Sequence, residues 1–234
     1  MTDFTAAFSA AISLVATFDD VLVEIVGLSL RVSFLAVAIA SLIGLPVGAA
    51  LALFRFPGRM VLTVFLNALM GLPPVVVGLV VYLLLSRAGP FGVFGLLFSP
   101  TAMIIAQVLL VTPIIAALAR QVIEDLWLEY EEQLRSLGTG PMRALPTLLW
   151  DGRFSLVTAV LAGFGRASAE VGAVMIVGGN IDHVTRVMTT TIALEVSKGD
   201  LSLALGLGLI LIMLSIGVNA AVYLVRQMAE RRYG

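Results

Sequence analysis

The sequence predicts an all-α integral membrane protein with five transmembrane helices, a short N-terminal interfacial helix and a cytoplasmic coupling helix–turn–helix. Of its 234 residues 60% are hydrophobic and only 12% are charged, which is more apolar surface than a soluble domain of this length can bury. Five apolar runs reach the roughly 20 residues that span a bilayer. The longest polar interruption, residues 131–156, separates the third run from the fourth. We find no internal repeat, so we expect a single domain over residues 1–234.

The composition argues against several functions. A net charge of −1 with a single lysine argues against nucleic-acid binding. The absence of cysteine excludes disulfides, iron–sulfur clusters and thiol nucleophiles. His183 is the only histidine and no carboxylate cluster accompanies it, so we expect no metal site. No GxxxxGK[ST] stretch is present, so we expect this chain to hold no cofactor of its own and any ATP to be bound by a partner subunit.

The N-terminal segment, residues 4–18, is apolar but at roughly 15 residues is too short to span a bilayer. It lacks the basic n-region of a cleaved signal peptide, so we interpret it as an interfacial helix. Asp19 or Asp20 can cap the following helix. That helix continues to about residue 54 and is the first span.

The other four spans are predicted at residues 61–85, 101–119, 154–177 and 201–225. Pro73 and Pro74 fall near the middle of the second span, where they remove backbone donors and should kink the helix. We hypothesise that this kink serves as a gate hinge. Residues 178–200 are predicted to be a mixed loop with a short helix through MTTTIALEVSK, and residues 226–234 a tail.

Residues 131–156 have the turn chemistry of two helices joined tightly. Apolar residues recur at helical spacing over 126–137, which predicts a short amphipathic helix leading into the segment. Gly138 is placed where a helix C-terminal residue takes positive φ, and Pro141 suits the first position of a second helix. Such a rigid projection can transmit force to a soluble partner. The alternative is an ordinary loop between two membrane helices.

The distribution of basic residues predicts the orientation. Nine arginines lie in the first-to-second loop, the third-to-fourth loop and the tail, and three basic residues lie on the opposite side. The bias places the N-terminus outside, the C-terminus inside and residues 131–156 in the cytoplasm. The nine are Arg55, Arg59, Arg120, Arg135, Arg143, Arg153, Arg226, Arg231 and Arg232, against Arg87, Arg186 and Lys198.

Ionisable residues inside the spans are candidate functional groups. Arg166 lies about 20 Å along its helix from Arg153, near the bilayer centre, and Glu170 is one turn further on, so the two can pair. If this face lines a pathway for an anion, Arg166 is the attractive group and Glu170 its counter-ion. A structural ion pair between helices is the alternative.

Hydroxyl and basic groups near the predicted outer side are further candidates. Residues Thr189, Thr190 and Thr191 could donate weak hydrogen bonds to an oxyanion, or they could form an ordinary β-branched helix surface. Arg31 lies roughly one third of the way into its helix and could snorkel outward or line a vestibule. His183 fits a loop residue better than a ligand.

The segment around Gly138 resembles a known motif. Glu132, six residues before Gly138 and followed by a second short helix, is similar to the EAA motif of binding-protein-dependent ABC importer permeases. In that family the motif forms a coupling helix in a groove of the ATPase subunit. The resemblance implies that contact with the ATPase involves Glu131, Glu132, Arg135, Gly138 and Pro141.

The chain departs from this motif at two places. Gln133 and Leu134 stand at the positions of the two alanines, and Trp150-Asp151 replaces the closing Leu-Pro. The spacing from Glu132 to Gly138 holds.

Three further stretches resemble molybdate- and sulfate-type permeases: GLPPVVVGLVVYLLLSRAGPFG (71–92), GFGRASAEVGAVMIVGGNI (163–181) and TRVMTTTIALEVSKGDL (185–201). The third is most similar to the tungstate branch. In the second, Ala169 and Val171 flank Glu170 where the family has Gly-Glu-Phe-Gly. Together the similar stretches cover most of the chain from residue 71 onward.

The resemblance implies the permease subunit of an importer, with tungstate the first choice of oxyanion and molybdate the second. Transport would proceed by alternating access driven by a separate ATPase. The implied partners are a second permease copy, cytoplasmic ATPase subunits, an extracytoplasmic binding protein and membrane lipid.

Other functions remain open from the residues alone. Another anion such as sulfate could be the substrate. A secondary transporter or channel would usually show an internal repeat or a row of buried carboxylates. An intramembrane protease would need a serine–histidine pair or two buried aspartates. We find none of these patterns in the sequence.

Overall fold

The computed structural model describes residues 4–17 and 19–233, and these form ten α-helices, one 3-10 turn at Gly92–Phe94 and no strand. The predicted all-α class is confirmed. Phe18, predicted to end the interfacial helix, lies outside the described residues. The helices are α1 (Phe4–Thr17), α2 (Asp20–Leu53), α3 (Arg59–Met70), α4 (Pro74–Leu85), α5 (Pro100–Ser136), α6 (Pro141–Asp151), α7 (Arg153–Ser168), α8 (Gly172–Gly178), α9 (Met188–Lys198) and α10 (Leu201–Tyr233).

Three of the described helices, α2, α5 and α10, are long and apolar enough to cross a membrane by themselves. Two further pairs meet the same criterion together but are bent, α3–α4 by 100° and α7–α8 by 59°. Counting each bent pair as one span gives five, the number predicted from the sequence.

The predicted break of the second span at Pro73 and Pro74 is confirmed, but it separates two helices at 100° rather than kinking one continuous helix. Pro74 is the first residue of α4, and Pro73 precedes it in an extended conformation, with φ −61° and ψ 122°. A proline forces the residue before it out of the helical region, but its fixed φ and missing N–H suit a first helical position. The two prolines therefore separate α3 from α4 and start the new helix.

The fourth span is also interrupted, where a continuous helix over 154–177 was predicted. Helix α7 ends at Ser168 and α8 begins at Gly172. Glu170 lies in the break, and its Oε1 accepts a hydrogen bond from the backbone N–H of Ala173 at 3.1 Å. A side chain that satisfies an otherwise free N–H in this way stabilises a new helix start.

Helices α5 and α10 are longer than predicted. Helix α5 contains both the third span and the amphipathic helix predicted to follow it, because no glycine or proline interrupts residues 114–136. Helix α10 includes most of the predicted tail. Two local predictions are confirmed: α9 covers MTTTIALEVSK, and Asp19 Oδ1 caps α2 by accepting the N–H groups of Val21 and Leu22.

The described chain divides into two compact units. The first comprises the described residues up to Ala36, Pro73–Gln107 and Gly165–Val218, and the second comprises Val37–Leu72, Val108–Phe164 and the described residues from Asn219 onward. The buried core of the first unit includes Leu22, Ile25, Met188 and Leu207. The second unit is built on α5, whose Ala119, Ile123 and Trp127 share a core with residues of α2, α6 and α7.

Helices α4 and α8 approach closely within the first unit. A Cβ on Gly78 would lie 2.7 Å from Ala173 Cα, and one on Gly172 would lie 2.8 Å from Val75 Cγ2. Both distances are shorter than ordinary contact, so glycine is required at these crossings. The helix that Pro74 starts is therefore held directly against the helix that Glu170 caps.

Candidate functional site

The turn between α5 and α6, in the second unit, has the predicted conformation. Gly138 has φ +73°, its N–H donates to Arg135 O at 3.0 Å, and the N–H of Thr139 donates to Leu134 O at 2.8 Å. These two bonds are the Schellman pattern that ends a helix with glycine in the left-handed region. Pro141 is the first residue of α6, after Gly140 in an extended conformation. The predicted backbone conformation of Gly138 and the predicted position of Pro141 at the start of a helix are confirmed.

One face of α6 anchors the turn to the second unit. Ala144 and Leu148 are fully buried in the core formed with Ile123 and Trp127 of α5. Burying a large apolar side chain contributes about 1.5–3 kcal/mol. The helix that follows Gly138 is thus packed against α5 and is not a free loop.

The opposite side of this segment is apolar and exposed. Leu137 is 79% exposed, Met142 69% and Trp150 67%. Glu132 is exposed and makes no ion pair with the described residues, whereas Glu131 pairs with Arg135 at 2.5 Å. The segment therefore presents three apolar side chains and one available carboxylate.

Trp150 is held in place by an arginine. The Arg153 guanidinium lies 4.5 Å from the centroid of the Trp150 ring and 4.7 Å from that of Phe154, and it also donates to Trp150 O. A guanidinium stacked on aromatic faces contributes about 0.5–1 kcal/mol at exposed sites. Trp150, which stands where the motif ends in Leu-Pro, is thus stabilised by Arg153, a contact that was not predicted from the sequence.

An ion network at the end of α2 was also missed. Arg59 Nε donates to Leu51 O at 2.7 Å, and its Nη2 contacts Glu124 Oε1 at 2.7 Å. Arg120 pairs with the other oxygen of Glu124. The network fixes the turn after α2 to α5, one helical turn before Trp127. From the sequence, Arg59 and Arg120 were predicted only to contribute positive charge to the cytoplasmic side.

In the first unit, Arg166 and Glu170 form the predicted pair. Arg166 Nη1 lies 2.5 Å from Glu170 Oε2, and the side chains are 34% and 4% exposed respectively. Glu170 also caps α8, and its backbone carbonyl accepts the hydroxyl of Thr189 at 2.7 Å. The Glu170 carboxylate is therefore engaged in contacts within the chain, whereas the Arg166 guanidinium keeps part of its surface exposed.

The three threonines of α9 are buried. Thr189 donates to Glu170 O, Thr190 to Asn180 Oδ1 at 2.9 Å or Val187 O at 3.1 Å, and Thr191 to Val187 O at 2.7 Å. Each hydroxyl has one proton to donate, and each is engaged within the chain. These contacts agree better with the alternative of an ordinary, structural helix surface than with three donors available to an anion. Donation to an anion would require these bonds to break.

Gln107 is a buried polar residue that the sequence analysis overlooked. It is 4% exposed, its Nε2 donates to Ala167 O at 3.1 Å, and its Oε1 has no partner among the described residues. It lines a cavity of about 10 Å³ with Ser33, Ser168 and Glu170. That volume holds about one water, so a tetrahedral oxyanion does not fit there in this conformation. Gln107 interrupts an otherwise apolar run, a signal that could have identified it.

Arg31 and His183 lie close together in the first unit. His183 has φ +56° in the turn before α9, and its Nδ1 lies 2.9 Å from Glu24 Oε2 of α2. Both Arg31 and His183 line one surface cleft. Within the described residues no group of three or more His, Cys, Asp or Glu side chains could hold a metal.

The broken apolar spans and the anchored helix–turn–helix define a polytopic membrane permease. The chain belongs to the family described as binding-protein-dependent transport system inner membrane component, whose model matches residues 44–234. The family resemblance noted from the motifs is confirmed.

Individual relatives agree with this assignment. The chain is 41% identical to the tungstate uptake system permease protein of Peptoclostridium acidaminophilum, over 94% of this chain and 96% of the relative. It is 34% identical to the protein of the same description from Campylobacter jejuni, over 83% and 82%. The sulfate transport system permease protein of Salmonella typhimurium is 28% identical, over 74% and 67%.

The fold is shared with a solved transporter. A chain of the MetNI methionine ABC transporter in an inward-facing conformation superposes with a TM-score of 0.69, covering 92% of this chain and 95% of that one. The sequences are 18% identical, so this similarity shows the fold alone.

Proposed function

We propose that this chain is the membrane-spanning subunit of an ABC importer for a tetrahedral oxyanion, with tungstate first and molybdate second. The observation that carries the proposal is the 41% identity to a tungstate uptake permease over nearly the whole of both chains. Sulfate permeases share less identity over a smaller part of the chain, so sulfate is the less favoured substrate.

The partner ATPase would act on the permease through the segment around Gly138. The coupling surface would consist of four exposed side chains: Glu132 near the end of α5, Leu137 in the turn, and Met142 and Trp150 on α6. Helix α6 is anchored to the core through Ala144 and Leu148. An ATPase groove that accepts this surface could displace it as a rigid body. Because α5 is uninterrupted from residue 100 to residue 136, a displacement at its end would be transmitted along the helix. ATP would be bound and hydrolysed by the partner subunit.

The anion pathway is proposed to use the partly exposed guanidinium of Arg166. Glu170 balances this charge, so the pair attracts an anion without trapping it, as conduction requires. The small cavity beside Gln107 supports a closed pathway in this conformation. Pro73 and Pro74, which separate α3 from α4, are the proposed gate hinge, and Thr189, Thr190 and Thr191 would contribute only in another conformation.

The remaining partners follow from the importer assignment. We place the N-terminus outside and the C-terminus in the cytoplasm, on the ratio of nine to three basic residues. A second copy of this chain would complete the pathway, and an extracytoplasmic binding protein would deliver the anion. Membrane lipid would cover the exposed apolar faces, and the complex would reside in the cytoplasmic membrane.

Uptake by the reconstituted complex tests the proposal. The permease would be assembled with its ATPase in vesicles, and the binding protein supplied outside with tungstate, molybdate or sulfate. We expect ATP-dependent accumulation of tungstate, with molybdate next and sulfate least. Accumulation of sulfate in preference to tungstate would contradict the substrate assignment, and accumulation without ATP would contradict the importer mechanism.

A further inference from the structure

A surface cleft of about 300 Å³ lies in the first unit, between the beginning of α2 and the turn before α9. Its volume is at the lower end of the range for small-molecule sites, about 300–1,000 Å³. None of its residues belongs to the proposed coupling surface or to the Arg166 pair. Its charged or titratable lining residues are Glu24, Arg31, Asp182, His183 and Arg186.

The carboxylates of this cleft already have partners. Glu24 contacts His183 at 2.9 Å, and Asp182 contacts Arg186 Nη1 at 2.7 Å. The Nε of Arg186 is buried and has no acceptor among the described residues. A buried donor without an acceptor is energetically unfavourable. Arg186 lines the cleft and its side chain is 19% exposed, so its guanidinium is partly accessible there.

Arg31 is the arginine of the cleft that makes no direct contact with a carboxylate in the described part of the chain. It is exposed and makes no hydrogen bond or ion pair with the described residues. It lies about 16 Å along α2 from Asp20, at 1.5 Å per residue, which is within the predicted span. An ionised group at such depth is costly and is by default a candidate for function.

We infer that this cleft binds a tetrahedral oxyanion dianion, with Arg31 and Arg186 as the two guanidinium donors. The inference rests on the proposed function, since it assigns the substrate class to a further site. Guanidinium groups present several N–H donors in a planar fork and bind the oxygens of such anions well. In the proposed orientation the cleft opens toward the outside, where the anion would first meet the permease.

His183 adjusts the charge of the cleft. With His183 neutral, the two arginines balance Glu24 and Asp182, whereas a protonated His183 leaves one net positive charge. The hydrogen bond to Glu24 and its negative charge raise the pKa of His183 from 6.5, and Asp182 adds to this effect. Anion binding should therefore strengthen as the pH falls through the raised pKa.

The phosphate of a lipid headgroup has the same chemistry as a free oxyanion. An arginine at the depth of Arg31 could reach a headgroup by snorkelling. The experiment must therefore separate the two sources. A maltoside detergent carries no phosphate, so protection by tungstate in lipid-free maltoside micelles would come from the free anion.

Arginine modification with phenylglyoxal tests the site directly. The purified permease–ATPase complex would be treated in maltoside with and without tungstate, and modification of each arginine followed by mass spectrometry. We expect tungstate to slow modification of Arg31 several-fold and to leave Arg87 unchanged. Arg87 is also exposed and is not in the cleft, so it reports general effects of the anion. Chloride at matched ionic strength controls for screening.

Several outcomes would overturn the inference. Equal protection of Arg31 and Arg87, or protection by phosphatidylglycerol but not by tungstate, would exclude a site for the free anion. In uptake assays Arg31→Gln should lower tungstate uptake several-fold relative to Arg87→Gln, and equal uptake by the two variants would exclude a role in transport. Failure of the unmodified complex to take up tungstate would instead contradict the proposed function.

Discussion

Glu170 engages both carboxylate oxygens and its backbone carbonyl within the chain. Oε2 contacts Arg166, Oε1 caps α8 through Ala173 N, and the carbonyl accepts the hydroxyl of Thr189. Removing the carboxylate would thus break a helix cap as well as an ion pair. A test of the Arg166 charge must preserve the cap.

The double variant Arg166→Met with Glu170→Gln separates the two roles. Glutamine keeps an oxygen that can accept the N–H of Ala173, and the variant removes both charges, so neither is left buried and unpaired at a cost of about 3–5 kcal/mol. We expect intact assembly but loss of tungstate uptake, measured in vesicles with the ATPase and binding protein. Near-normal uptake would show that the pair is only structural.

A control for this variant is Glu170→Gln alone. It keeps the cap but leaves Arg166 without its counter-ion, so an attractive guanidinium should remain available to the anion. Uptake by the single variant should exceed uptake by the double variant. The reverse order would argue that Arg166 does not contact the anion.

His183 permits a direct measurement, because it is the only histidine in the sequence. Its contact with Glu24 stabilises the protonated form, so this contribution is present below pH 6.5 and is lost as the pH rises through the raised pKa. In carbon-13-labelled permease purified without a histidine tag, we expect one imidazole NMR signal titrating above 6.5. Glu24→Gln should lower this pKa, and Asp182→Asn should lower it less. A titration unaffected by Glu24→Gln would contradict the contact.

The turn of the helix–turn–helix places Gly138 in a conformation that most residues avoid. Its φ of +73° lies in the left-handed region, and a Cβ built there meets nothing within 4 Å. The cost of a substitution therefore comes from backbone conformation and not from a clash. That cost differs between side chains of similar size, which makes a matched pair of variants informative.

We expect Gly138→Val to uncouple transport. A β-branched residue in this conformation is unfavourable by about 1–2 kcal/mol, so the turn should open while the spans and assembly stay intact. Tungstate uptake and substrate-stimulated ATPase activity should fall together. Gly138→Asn is the control, because asparagine tolerates the left-handed region and should retain most of both activities. Normal transport by the valine variant would show that the turn at Gly138 has no role in coupling.

The charge distribution of the whole molecule gives its proposed orientation. The coupling surface can meet a cytoplasmic ATPase only if residues 131–156 face inward. The cleft containing Arg31 lies near the turn before α9, on the predicted outer side. Both proposals therefore depend on the same orientation.

Reporter fusions test this orientation. An enzyme that is active only outside the cytoplasm should be active when fused after Ser86 or Gly179, and silent after Arg59 or Gly138, because basic residues favour the cytoplasmic side. Western blots of each fusion would control for expression. The opposite pattern would place the turn at Gly138 outside and remove the argument for coupling.

The sequence by itself determined the class, the number of apolar spans and the turn at Gly138, because these depend on local properties. Apolar runs of sufficient length predict spans whatever their neighbours. Gly138 and Pro141 have backbone preferences that hold in almost any surroundings, so the turn was predicted residue by residue. The Arg166–Glu170 pair followed from spacing alone.

Only the tertiary structure decided which polar groups are engaged. The break at residues 169–171 separates helices that local hydrophobicity joined, and α8, which follows this break, packs closely against α4. From the sequence, the hydroxyls of Thr189 to Thr191 were candidate donors to an anion. In the folded chain they donate to acceptors that are distant in sequence or lie in an adjoining turn. Arg31 and His183 line the same cleft only in the folded chain. Residues some 150 positions apart leave no periodic signal in the sequence, so their proximity was not predicted.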